Sequence, residues 1–145
     1  MKIGFASDHR GYKLKNELMS FFEGQYALVD VGTYSEDSCD YPDYAKALCN
    51  KVVNGEVDFG VAICGSGIGI SIACNKVKGI RCAKVSNVKE AEYTRLDNDA
   101  NVVAFGETME FETAIEIIET FINTPFSNLE KHIRRINKIK EIENA

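Results

Sequence analysis

Residues 64–69 place a thiol, a hydroxyl and three alternating glycines in six consecutive positions, Cys64-Gly65-Ser66-Gly67-Ile68-Gly69. They follow an apolar run, residues 59–63, that predicts a strand buried on both faces, and they precede a predicted helix over residues 70–75. Glycines leave out side chains where backbone must approach a ligand, and a helix start presents unpaired N–H groups. We therefore expect an anion site for a phosphate, a carboxylate or a reaction oxyanion. A tight turn without a ligand is the alternative.

Two better-known phosphate motifs agree less well with this segment. No Lys-Ser or Lys-Thr pair follows the glycines, so the segment is not a P-loop. The spacing is G-x-G-x-G rather than G-x-G-x-x-G, and the next predicted strand, residues 80–85, ends without the acid that would bind a ribose hydroxyl. A dinucleotide site is therefore disfavoured.

Cys64 stands at the start of the turn, where a helix N-terminus stabilises a thiolate. A thiolate could act as a nucleophile, which needs a neighbouring histidine, or as a general base, which needs only a carbon acid beside it. The histidines are His9 and His132, so the nucleophile alternative depends on His9. The cysteines that we predict to be buried and structural are Cys49, Cys74 and Cys82.

Two further groups of polar residues could contribute to a site. Asp8 and His9 follow the first predicted strand, residues 2–6, and ligands bind at the carboxyl ends of parallel strands. The last predicted helix carries a basic cluster in which positions 131 and 135 share one face. In a chain of net charge −5 such a cluster could clamp a phosphate, and a solvated basic face is the alternative. The members of the cluster are Lys131, His132, Arg134 and Arg135.

Alternating strands and helices must position these groups. Predicted strands cover residues 2–6, 27–31, 59–63, 80–85 and 102–105. Predicted helices cover residues 11–22, 42–53, 70–75, 88–96, 110–121 and 128–143. This order predicts an α/β fold, a Rossmann-like three-layer sandwich with a five-stranded parallel sheet and an extra C-terminal helix. We expect one domain over residues 1–145, with helix 128–143 available to pack on a partner subunit.

Composition excludes several classes of protein. The 145 residues are 45% apolar and 27% charged, which is ordinary for a globular domain. The net charge of −5 opposes nucleic-acid binding, and no apolar run is long enough to span a membrane. The chain reaches Asp8 too early for a signal peptide. Five cysteines without a C-x-x-C pair predict neither disulfides nor a metal site, and they favour the cytoplasm.

These residues together resemble the ribose-5-phosphate isomerase B family and its relatives, the galactose-6-phosphate and allose-6-phosphate isomerases. The resemblance covers residues 2–143, and its most specific part is the glycine-rich segment followed by Asn-Lys. The segments that carry it are Ser7-Asp8-His9-x-Gly11, Asp40-Tyr41-Pro42, Ile63-Cys64-Gly65-Ser66-Gly67-Ile68-Gly69-Ile70-Ser71-Ile72-Ala73, Asn75-Lys76, Gly79-Ile80-Arg81 and Asn98-Asp99-Ala100-Asn101-Val102.

The resemblance implies a cofactor-free aldose–ketose isomerase that acts through a cis-enediolate, most closely on ribose 5-phosphate and ribulose 5-phosphate. Alternatives are an allose-6-phosphate isomerase, one subunit of a galactose-6-phosphate isomerase, or a non-catalytic phosphosugar-binding module. Cys64 would be the base between C1 and C2, and Ser66 would assist at the hydroxyls. Substrate contacts would come from Asp8, His9, Tyr41, the backbone of Gly65, Gly67, Ile68 and Gly69, from Asn98 at the oxyanion, and from Lys131 and Arg135 at the phosphate.

Three positions depart from the family pattern. Asp97 stands where the family commonly has a histidine that opens the furanose ring. It could replace that histidine as acid or base, or ring opening could be left to solution or to His9. Thr108 replaces a common phosphate-binding arginine. Lys131 offers one point charge where the family commonly has a planar arginine fork. The choice between a pentose and a hexose phosphate therefore stays open.

The predicted topology separates the implied site residues. Asp97 and Asn98 precede the fifth strand, at the amino end of the sheet, whereas Cys64 follows the third strand, at the carboxyl end. Because a five-residue strand spans roughly 17 Å, one subunit cannot bring both groups to one sugar. We therefore expect a homodimer or a dimer of dimers with the active site at a two-fold interface.

Overall fold

The computed structural model describes all 145 residues, and strands alternate with helices as predicted. The strands are β1 Lys2–Ser7, β2 Ala27–Asp30, β3 Phe59–Cys64, β4 Cys82–Lys84 and β5 Val102–Gly106. The helices are α1 Tyr12–Phe22, α2 Tyr41–Val53, α3 Ile68–Cys74, α4 Val88–Leu96, α5 Phe111–Asn123 and α6 Glu130–Glu143. None of the six helices combines the length and the apolar composition that a membrane-spanning helix needs.

The five strands form one parallel sheet in the order β2-β1-β3-β5-β4. Side chains of the central strand β3 alternate between two cores: Val61 and Ile63 face one, and Ala62 and Cys64 face the other. Helices α1, α4 and α5 cover the first core, whereas α2 and α3 cover the second. The predicted three-layer α/β fold is confirmed.

Most boundaries differ from the sequence predictions by one or two residues, and two elements, α3 and β4, show a local reason for the difference. Helix α3 begins at Ile68 rather than at residue 70, because Gly67 adopts φ 80° and turns the chain directly into the helix. Strand β4 covers only residues 82–84 of the predicted 80–85. It lies at the sheet edge, and the N–H of Arg81 donates to the side chain of Asn101 instead of to a strand.

Helix α6 lies apart from the two cores. Ile136 is its only buried residue, whereas Ile133, Ile139 and Ile142 are exposed. Hydrogen bonds attach both ends of the helix to the rest of the chain. The N–H of Ser127, just before the helix, donates to the carbonyl of Leu96, and the N–H of Gly79 donates to the carboxylate of Glu143 in its last turn. The helix is therefore held on its own subunit while most of its apolar side chains remain uncovered.

Candidate active site

The glycine-rich segment lies directly on the end of the neighbouring strand β5. Cys64 pairs with Gly106 in the sheet, and Glu107 N–H donates to the carbonyl oxygens of Cys64 and Gly65. At Gly67 a Cβ atom would lie 2.6 Å from the carbonyl carbon of Phe105. Because φ is 80° there and the obstacle is backbone, only glycine suits the position.

Cys64 is 4% exposed, and its sulfur accepts a hydrogen bond from the N–H of Gly67 at 3.2 Å. Hydrogen bonding to a backbone N–H is the arrangement that stabilises negative charge on an acceptor. The side chain otherwise packs in the core under α2 and α3, and none of the larger cavities of the single subunit is lined by Cys64.

Four other backbone N–H groups of residues 65–70 have no hydrogen-bond acceptor within the chain. They belong to two positions before the helix and to two in its first turn, where helical N–H groups lack partners. The N–H of Ile68 differs, because it donates to the hydroxyl of Ser66 at 3.1 Å. The segment therefore offers several donors to an anion held over it. The unpaired N–H groups belong to Gly65, Ser66, Gly69 and Ile70.

The structure brings two of the residues predicted for the sugar pocket to this segment. The ring of Tyr41 rests on Gly69, since a Cβ there would lie 2.6 Å from the tyrosine Cζ. The N–H of Asp8 donates to the carbonyl of Ile63, next to Cys64. Asp8 is 5% exposed, and its carboxylate accepts hydrogen bonds from the N–H groups of Arg10 and Gly11 at 3.0 and 3.1 Å. One carboxylate oxygen thus accepts both backbone N–H groups just before α1.

His9 is oriented by the backbone of a distant loop. Its Nδ1 accepts from the N–H of Cys39 at 3.2 Å, so the proton of the neutral ring lies on Nε2. His9 also lines a cavity of about 640 Å³ together with Arg10, Glu107 and Thr108. Thr108 therefore lines the same cavity as His9.

An ion pair at this end of the sheet was not predicted from the sequence. The guanidinium of Arg10 donates to both carboxylate oxygens of Glu107, at 3.0 and 3.3 Å, and this partner raises the pKa of Arg10. The arginine side chain also lies against Gly65. The partners are 97 positions apart and belong to no motif, so local patterns carried no signal for them.

The remaining predicted site residues gather at the opposite end of the sheet. Asp97 caps the C-terminus of α4, and its carboxylate lies 3.3 Å from Nε2 of His132 in the first turn of α6. Lys131 and Arg135 on α6 are exposed, as is Asn98, whose carbonyl accepts from Arg81. Since Cys64 pairs with Gly106 and these residues precede Val102, the length of β5 separates the two sets.

The other cysteines have structural surroundings. Cys49 and Cys74 are buried as predicted, whereas Cys82 is half-buried. Hydrogen bonding to Cys74, with burial adding to it, raises the pKa of both the Cys49 and the Cys82 thiols. No group of three or more His, Cys, Asp or Glu side chains is arranged to hold a metal ion.

Comparison with known proteins identifies the family to which the chain belongs. The sequence pattern of the family described as ribose/galactose isomerase matches residues 3–139. Ribose-5-phosphate isomerase B of Escherichia coli is 40% identical, over 98% of this chain and 96% of that protein. The chain belongs to the ribose/galactose isomerase family, whose members named ribose-5-phosphate isomerase B are aldose–ketose isomerases.

Solved structures resemble the whole chain. Ribose-5-phosphate isomerase B of Clostridium thermocellum superposes with a TM-score of 0.96 at 43% identity, covering 99% of this chain and 98% of that one. The enzyme of the same name from Mycoplasma genitalium, solved with bound ribulose-5-phosphate, gives a TM-score of 0.91 at 36% identity, covering 99% and 96%.

Proposed function

We propose that this protein interconverts ribose 5-phosphate and ribulose 5-phosphate through a cis-enediolate, with Cys64 as the base. One observation carries the proposal: the sulfur of Cys64 accepts a hydrogen bond from the N–H of Gly67, in a segment that holds four further unpaired backbone N–H groups. A base next to preorganised N–H donors is what a reaction through an oxyanion requires.

The steps balance without a cofactor. The Cys64 thiolate takes the proton from C2 of the open-chain aldose, and the electron pair of that C–H bond forms the C1–C2 double bond of the enediolate. The carbonyl electrons move to O1, where the unpaired N–H groups and Asn98 stabilise the charge. The thiol then returns its proton to C1, while the O2 proton moves to O1 with help from the hydroxyl of Ser66. The product is the 2-ketose.

In this proposal, residues of a second subunit bind the phosphate of the substrate. Lys131 and Arg135 are the exposed cations proposed to hold the phosphate, and they lie with Asp97 and Asn98 at the end of the sheet away from Cys64. A two-fold homodimer places these residues of one subunit beside Cys64 of the other. The apolar side chains that α6 and α3 leave exposed are the contacts proposed for this interface: Ile68, Ile72, Ile133, Ile139 and Ile142.

In this proposal the sugar is held against the glycine-rich segment by Asp8, His9 and Tyr41. The ring of Tyr41 already lies on Gly69, and His9 presents Nε2–H because Nδ1 is used by Cys39. We propose one functional domain over residues 1–145 and a cytoplasmic enzyme that meets its substrate as a diffusing sugar phosphate.

Proton exchange tests the role of Cys64. The purified enzyme in deuterated water should exchange the C2 proton of ribose 5-phosphate and convert the sugar. Cys64→Ala should lower both rates by about a thousandfold, because a general base contributes on the order of 10² to 10⁴. Cys82→Ala, which removes a thiol away from the segment, should leave both rates unchanged. Wild-type exchange by Cys64→Ala would exclude the thiol as the base.

The same assay separates the alternative substrates. Asp97 and Thr108 depart from the family pattern, so allose 6-phosphate and galactose 6-phosphate should be tested beside ribose 5-phosphate. We expect the largest kcat/KM for the pentose with this chain alone. Turnover of galactose 6-phosphate only after a second, different chain is added would contradict the proposal, as would tight binding of sugar phosphates without any exchange.

A further inference from the structure

The two residues that approach each other between α4 and α6 form a carboxylate–imidazole pair. Nε2 of His132 lies 3.3 Å from Oδ1 of Asp97. The pair is built within one subunit, because the N–H of Ser127 donates to the carbonyl of Leu96 and ties the start of α6 to the end of α4. Its geometry therefore does not depend on a bound ligand.

The two members differ in their access to solvent. The side chain of Asp97 is 43% exposed, whereas that of His132 is 12% exposed. The carboxylate is thus the member that can touch a molecule at this surface, and the imidazole lies behind it. Asn98, Lys131 and Arg135 are exposed nearby, which is the set that the proposed function assigns to the substrate.

A carboxylate alone is poorly suited to one step that the proposed function requires. Ribose 5-phosphate is a cyclic hemiacetal, so it must open before C2 can lose a proton. Opening breaks the bond between C1 and the ring oxygen, delivers a proton to the ring oxygen and removes one from the anomeric hydroxyl. Carboxylates are seldom protonated at neutral pH, whereas imidazole gains and loses a proton there.

We infer that Asp97 and His132 act together as the acid–base pair that opens the sugar ring, with Asp97 contacting the sugar and His132 serving as its proton reservoir. This inference rests on the proposed function. The proton of the imidazolium passes through Asp97 to the ring oxygen as the C1–O bond breaks. The proton of the anomeric hydroxyl then returns through Asp97 to the imidazole, so the pair ends as it began.

His132→Gln separates this role from a structural one. The amide of glutamine can still donate a hydrogen bond to Asp97, so the loop should keep its shape, but the amide carries no exchangeable proton of the required acidity. Ribulose 5-phosphate supplies the second arm of the test: its O5 carries the phosphate, so this ketose cannot close a five-membered ring and reaches the enediolate without ring opening.

We expect His132→Gln to convert ribose 5-phosphate about a hundredfold more slowly, and to slow the net reverse conversion equally, as the fixed equilibrium requires. Exchange of the C1 proton of ribulose 5-phosphate with deuterated water should stay within about twofold of wild type. Adding Asp97→His to His132→Gln should restore much of the conversion, because it places an imidazole directly at the sugar. Lys138→Gln, an exposed change on the same helix, should behave as wild type.

Three results would overturn the inference. The first is wild-type conversion by His132→Gln. The second is an equal loss of conversion and C1 exchange, which would mean that His132 acts on binding or folding. The third is a double variant no faster than His132→Gln alone. Absence of any exchange by the wild-type enzyme would instead refute the proposed function, and the inference would fall with it.

Discussion

The two ends of the sheet differ in the groups that they offer to a ligand. At the carboxyl end, the chain itself provides the donors: Gly67 donates to the sulfur of Cys64, and the neighbouring N–H groups have no partner. At the amino end, side chains from separate elements meet: Asp97 closes α4, and His132 begins α6. The first arrangement depends on six consecutive residues, and the second on a tertiary contact.

This difference explains how the ends could divide one reaction. Backbone donors are fixed by the fold and cannot be repositioned without changing it, which suits stabilisation of a charge that always develops at one place. Long exposed cations such as Lys131 and Arg135 can adapt to a flexible phosphate end. Because β5 separates the two sets, the division is useful only if two subunits share each site.

Mixing two inactive variants tests this shared site with the largest expected effect. Cys64→Ala and Arg135→Ala should each lower activity by about a hundredfold or more as pure proteins. After reversible dissociation and mixing, about half of the dimers should be hybrids, in which both defects fall in one site and the other site is intact. Activity should therefore return to about a quarter of wild type. No recovery, with hybrid dimers demonstrated by mass, would show that each subunit holds a complete site.

Local sequence patterns predicted the strand, turn and helix at the carboxyl end of the sheet, but not the side-chain contacts at its amino end. The glycine spacing, the preceding apolar run and Cys64 all lie within one strand, turn and helix, so local rules were sufficient. Contacts between distant residues were missed: Arg10 with Glu107, Asp97 with His132, and Lys15, which is fully buried and donates to Asp30 and to the Thr33 carbonyl. The sequence around a lysine at a buried helical position does not indicate which carboxylate will pair with it.

Two glycine substitutions test how tightly the turn at the carboxyl end of the sheet is constrained. Gly67→Ala should cost about 1–3 kcal/mol for its left-handed backbone, with a further penalty because the new Cβ meets the backbone of Phe105. Gly69→Ala meets only the outer end of the Tyr41 side chain, which can swing aside, and alanine favours the helix by about 1 kcal/mol. Urea unfolding should therefore separate the two variants clearly. Equal stability would mean that the turn is less constrained than its contacts indicate.

We propose that Asp8 both stabilises the start of α1 and binds the sugar, and two variants separate these roles. Asp8→Ala removes the oxygen that accepts from Arg10 and Gly11, so it should lower the free energy of unfolding by about 1 kcal/mol. Asp8→Asn keeps an acceptor in the same place and should retain that stability. If Asp8 also binds the sugar, Asp8→Asn should raise KM without changing the melting temperature. An unchanged KM would restrict Asp8 to beginning α1.

Lys131 allows the mildest test, because the substitution adds a group instead of removing one. Arginine at this position would offer two parallel N–H donors to a phosphate where lysine offers a point charge. Since Lys131 is exposed, the longer side chain needs no space in the core, and stability should not change. We expect Lys131→Arg to lower KM for ribose 5-phosphate by about threefold at constant kcat. Arg134→Lys, on an exposed neighbour outside the proposed phosphate contacts, should leave KM unchanged. A KM unaffected by Lys131→Arg would mean that Arg135 alone carries the phosphate, and that the amino end of the sheet contributes less binding than its concentration of charge suggests.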